Sequence, residues 1–120
     1  MIFLNERQLT TLARQWQKRL GLADWHVRAK WASIAEIGNS YGTCRFDINH
    51  KTALISVLSE EFADSYTFPS PPWDAENIIV HELVHLLLAP AQLEDDVYQE
   101  QLINQLAEAF VPVLERKRLD

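Results

Sequence analysis

Between positions 78 and 88 the chain reads Ile-Ile-Val-His-Glu-Leu-Val-His-Leu-Leu-Leu, and no other stretch restricts the fold as much. Apart from His81, Glu82 and His85, every residue in it is aliphatic. As a helix it is apolar on nearly all sides, so it must be buried between other elements. Asp74 can cap such a helix over residues 75 to about 89, and Pro90 marks its end. Two imidazoles and a carboxylate inside a buried helix cost free energy unless something satisfies them.

A metal ion would do so. His81 and His85 are four residues apart, one turn on, and lie on one helix face. Their nitrogens can hold a tetrahedral Zn²⁺ at about 2.0–2.1 Å. Glu82, turned by about 100°, flanks that position. Zinc brings the pKa of a bound water down to about 7, and a flanking glutamate can take its proton and hand it to a leaving amine. Glu82 is therefore the candidate general base.

A catalytic zinc site needs a third protein ligand. No histidine follows His85, and Leu88 stands where an extended signature has glycine. The ligand must then be a carboxylate: Glu94, Asp95, Asp96, Glu100 or Glu108. Ile103, Leu106, Ala107, Phe110 and Leu114 form the apolar stripe of a last helix, and three residues back from Ile103 is Glu100. Glu108 falls on the polar side with Gln101, Gln105 and Glu115. The acids at 94–96 suit the positive end of that helix's dipole. Glu100 is the expected third ligand, with Asp96 second. Asn104, one turn after Glu100, could accept the second ring N–H of a ligating histidine; an ordinary polar helix residue is the alternative. Pro112 should kink or restart this helix.

The rest of the chain supplies the frame. Asn5 and Gln8 have the spacing of a helix-start box, Leu9, Leu12, Trp16 and Leu20 recur at helical intervals, and Gly21 suits a helix end. The spacing predicts a helix over 6–20. Trp25, Val27, Ala29 and Trp31 alternate with polar residues, as do Cys44, Phe46 and Ile48, so each reads as a strand with one buried face. Asn49-His50-Lys51 reads as a hairpin turn. Residues 53–58 are nearly continuously apolar, as in a central strand. The segment 59–73, rich in proline toward its end, reads as a loop within one domain of 1–120. The order α-β-β-β-α-α is that of an α+β chain. The strand at 43–48 is the better candidate for a free edge, to which an extended peptide could pair.

The string His81-Glu82-Leu83-Val84-His85, followed by Glu100-Gln101-Leu102-Ile103-Asn104-Gln105-Leu106-Ala107, resembles the small gluzincin metallopeptidases. That group includes the minigluzincins, the SprT-like domains and the ImmA/IrrE-type peptidases. The resemblance runs upstream through Trp25-x-Val27 and Tyr41-Gly42-Thr43-Cys44-Arg45. It implies a zincin-like fold: a three-stranded mixed sheet packed on an N-terminal helix, an active-site helix and a glutamate-bearing C-terminal helix. It implies zinc held by His81, His85 and Glu100, Glu82 as general base, and peptide or protein substrates along the edge strand. A latent or non-catalytic zinc-bound interaction module of the same fold is the alternative. In it, the stretch after Pro112 could fill the cleft.

Charge narrows the partners. Seventeen acidic residues against eleven basic give a formal net charge of −6, so nucleic acid is not expected. No apolar run is long enough for a membrane span. A single cysteine, Cys44, excludes an internal disulfide framework and favours a reducing, cytoplasmic setting. Cys44 is expected to be a small buried apolar residue. A monomer is the expectation. Tyr98, Tyr66, His50 and Arg45 are available as oxyanion donors, and spacing selects none of them. Trp16, Trp25 and Trp31 are expected in the core; Trp73 either lines the cleft or staples the helix start.

Overall fold

The computed structural model describes residues 4–38, 40–65, 73–91 and 97–111. Its first element is helix α1, Glu6–Arg19, opened by a box in which Asn5 Oδ1 accepts from the Gln8 amide and Gln8 Oε1 from the Asn5 amide. Leu20 closes the helix, and Gly21 turns the chain at φ +75°, where a side chain is strained. Leu9, Ala13 and Trp16 face the core. Gln17 is buried with them; its amide donates to the carbonyls of Leu22 and Trp25, which satisfies the turn into the sheet.

Strands β1 (His26–Ala32), β2 (Gly42–Asp47) and β3 (Thr52–Leu58) form one sheet in the order β1-β3-β2. β1 runs parallel to β3, and β2 antiparallel to it, so the sheet is mixed. The apolar run at 53–58 is central, as its composition requires. Register sorts the side chains. Val27, Ala29, Ala53, Ile55, Val57 and Cys44 share the face toward the core. His26, Arg28, Thr52, Leu54, Arg45 and Asp47 share the other. One expectation is only half met: Phe46 lies on the inner face by alternation yet is 45% exposed, and Ile48 falls in the turn at 43%. The distal end of β2 runs past the helices that cover its start, and the Phe46 and Trp25 rings meet there edge to face, with centroids 6.1 Å apart.

Both β1 and β2 are outer strands, but their free sides differ. Thr10 of α1 places its hydroxyl against β1, donating to the Ala29 carbonyl at 3.2 Å and accepting from the Ala29 amide at 3.1 Å. The hydroxyl stands in for a neighbouring strand there. β2 has β3 on one side and, among the described residues, no strand on the other.

Between β1 and β2 lies a four-residue helix, α2 (Ile34–Ile37), that the strand-to-strand reading of the sequence passes over. Ser33 and Glu36 box its start, and Gly38 leaves it at φ +81°. Residues 60–65 form a 3₁₀ helix inside the stretch read as loop. The rest of that stretch, 66–72, lies outside the described residues.

Helix α3 (Ala75–Leu88) follows the expected bounds, and a 3₁₀ turn at Ala89–Ala91 surrounds Pro90. Asp74 caps it, its Oδ1 accepting from the Asn77 amide. Ile79, Val80, Leu83, Val84 and Leu86 are fully buried and form the centre of the core with Leu9, Ile55 and Ile103. Helix α4 (Val97–Phe110) contributes Ile103 and Ala107. Its expected start at 94–96, the kink at Pro112 and the tail beyond lie outside the described residues. Among those described, no helix is long and apolar enough to cross a membrane. Trp16 and Trp25 are buried in the core, as expected. Trp73 turns to the sheet: its indole N–H donates to the Leu58 carbonyl at 2.7 Å, and its ring stacks on Trp31.

Candidate metal centre

Helical phase sets what α3 shows to each neighbour. Asn77, His81 and His85 recur every four residues and face α4; Asn77 reaches the Val111 carbonyl there through its side-chain amide, at 3.2 Å. Ile78 and Glu82, one step round, face the start of β2: a Cβ built on Gly42 would lie 2.7 Å from Ile78 Cγ2 and 3.2 Å from Glu82 Oε2. The site is therefore the corner where α3, α4 and β2 meet.

At that corner the two imidazoles and one carboxylate converge. His81 Nε2 lies 3.3 Å from one oxygen of Glu100, and His85 Nε2 lies 3.1 Å from the other. The rings are tilted at 59° with centroids 5.3 Å apart. One donor atom from each residue falls within 4.8 Å of the other two, so His81, His85 and Glu100 form a cluster that could hold a metal ion. Four donors about 2.05 Å from a tetrahedral centre lie roughly 3.3 Å from each other. The two histidine–glutamate separations match that edge. Two nitrogens and one carboxylate oxygen also make a donor set suited to a divalent transition metal with one position left open.

The surroundings fit the same purpose. Burial, the largest influence, pushes the His81 pKa below its ordinary value; the Glu100 charge and a hydrogen bond with Asn104 work against it, and His85 adds to it. Burial thus favours the neutral imidazole, the form that ligates. The Asn104 side chain, one turn after Glu100, is the one that hydrogen-bonds the His81 ring. The Glu82 carboxylate is buried, with one oxygen 3.8 Å from His81 Nε2. Glu100 is 43% exposed, so the cluster opens to solvent along α4.

Cys44 lies on the inner face of β2, and its thiol pKa is pushed up to about 12, first by burial and then by the negative charge of Glu82. Held protonated, the thiol packs as a small apolar side chain. Glu108 is exposed and is not part of the cluster. Glu94, Asp95, Asp96 and Tyr66 lie outside the described residues. The other oxyanion candidates are not brought to the cluster: His50 pairs with Asp47 in the hairpin, Arg45 is on the outer sheet face, and Tyr98 is 80% exposed. Gly42 is the neighbour that sequence reasoning passed over, because only the three-dimensional approach of β2 to Glu82 gives it meaning. No protein-family model, curated protein or solved structure matches this chain.

Proposed function

We propose that the chain is a single-domain, zincin-like zinc metallopeptidase, with Zn²⁺ held by His81, His85 and Glu100 and with Glu82 as general base. The observation that carries this reading is the convergence of three ligand atoms within 4.8 Å at a corner that also holds a buried carboxylate. When bound, zinc supplies Lewis acidity and lowers the pKa of water to about 7. Glu82 accepts a proton as water oxygen bonds to the peptide carbonyl carbon. As the C–N bond breaks, Glu82 returns that proton to the departing amine nitrogen. Burial away from bulk solvent keeps the carboxylate fixed beside the reacting centre. Asn104 holds the His81 ring in orientation. The open side of β2, beginning at Gly42 beside Glu82, offers backbone groups to an extended substrate.

The test separates metal from chemistry. Purified protein should hold one zinc per chain, lost in both His81→Ala and His85→Ala. It should cleave an unfolded protein substrate, and Glu82→Gln should abolish cleavage while zinc stays bound. Zinc without cleavage in the wild type points instead to the non-catalytic module. No stoichiometric metal in the wild type overturns both.

A further inference from the structure

The sheet's outer face has no part in the metal centre and carries a different chemistry. α2 packs over β3 on this side, where Lys30 reaches Glu36 at 3.0 Å. The other half of the face, away from that pair, is open among the described residues, and a shallow cavity of about 370 Å³ lies there. Register places Arg28 of β1 and Arg45 of β2 on either side of Leu54 in β3, in one row across the sheet. Both arginines are exposed, and among the described residues neither makes an ion pair or hydrogen bond. His26 adds a third nitrogen base at the margin. The acid in the cavity wall, Asp47, is already engaged: its carboxylate accepts from the Asn49 and His50 amides and pairs with the His50 ring at 2.8 Å.

An acidic protein, at −6 overall, thus presents two exposed guanidinium groups around a leucine floor, unpaired among the described residues. We propose that this face is a docking site for an acidic, extended segment of a partner polypeptide. Guanidinium groups grip carboxylates in fork geometry, more selectively than ammonium groups do. The arginine backbones stand two strand spacings apart, about 9.6 Å. Alternate side chains of an extended chain share a face about 7 Å apart, so two carboxylates flanking an apolar residue on that face span about 13 Å, which the long arginine stems can reach by splaying outward. An apolar side chain between them would sit on Leu54. Nucleic acid fits less well, because the whole-chain charge opposes a phosphate polymer.

The probe is a fluorescent oligoglutamate peptide carrying a central leucine, titrated with the full-length protein at low and at physiological salt. Binding should appear at low salt and weaken with salt. The double variant Arg28→Glu/Arg45→Glu should bind about ten-fold or more weakly, while keeping the wild-type melting temperature and zinc content. His81→Ala should bind the peptide as wild type does, which keeps this site distinct from the metal centre. Equal binding by the double variant, or none by the wild type at low salt, overturns the proposal. So does tighter, arginine-dependent binding of a single-stranded oligothymidylate. Self-association of the wild type that disappears in the double variant would assign the face to a second copy and overturn it as well.

Discussion

His81 shows how one side chain can carry both the stability and the affinity of a site. Burial depresses its pKa, so as pH falls the unfolded chain takes up its proton first, near 6.5, and the folded chain only lower. The sign follows: the metal-free protein is most stable above about pH 6.5 and loses stability as pH falls toward the folded-state value. Urea midpoints at about pH 7.5 and about pH 5.5 should drop more for wild type than for His81→Gln. An equal drop means that His81 is not the group being titrated. Glu100 makes a second case. Removing it as Glu100→Ala takes away one of three protein donors, and zinc affinity should fall by about 100-fold or more in competition with a chelator. Unchanged affinity would mean that the third ligand is another residue. Both histidines and Glu100 were readable in the sequence because each is fixed by helical phase: four residues for the histidines, and three residues back from Ile103 for the glutamate. Gly42 was not, since a glycine's importance lies in what would collide with a Cβ, and that is a fact about a strand distant in sequence.

Elements were legible wherever their signals are local. Asn5 with Gln8, and Asp74 before the aliphatic run, mark helix starts through side chains that reach only three residues. Ser33 and Glu36 carry the same signal, but a four-residue helix offers no periodicity to support it. Strand order followed from composition: the buried run at 53–58 marked β3 as the central strand, which in a three-stranded sheet places it between β1 and β2. The edge devices are the least local of all: Thr10 seals β1 from another helix, and Gly42 lets β2 press against α3. Gly42→Ala forces a methyl group to 2.7 Å from Ile78 Cγ2. That overpacking should cost about 1–3 kcal/mol in urea unfolding. Because Ile78 and Glu82 share a helix face, relief of the clash also shifts the Glu82 carboxylate. Zinc stoichiometry should be unchanged in this variant while peptide cleavage falls. A variant with wild-type stability would show that β2 and α3 do not approach as closely as described.

The molecule as a whole is divided by how firmly its parts share the core. α1, the sheet and α3 interlock through Leu9, Ile55, Ile79 and Leu83, each fully buried. α4 joins them through the shorter stripe of Ile103 and Ala107, and Tyr98 and Leu102 of the same helix face solvent. Polar ties between it and α3 include Asn77 to the Val111 carbonyl, Asn104 to His81, and Glu100 between the two imidazoles. An ion ligated by His81, His85 and Glu100 therefore binds α3 to α4 and has no ligand in the rest of the core. Such an ion stabilises the folded chain by mass action, about 4 kcal/mol at a thousand times its dissociation constant. For a domain of this size that corresponds to roughly 10 °C or more in melting temperature. Stripping the metal with a chelator should lower the melting temperature by that order and restore it on adding zinc. The loss should also be uneven: amide hydrogen exchange should rise first across 97–111, while the amides of β1, β3 and α3 keep their protection. Uniform loss of protection would mean that α4 is held by its apolar contacts as tightly as the rest, and that the metal is not what fastens it.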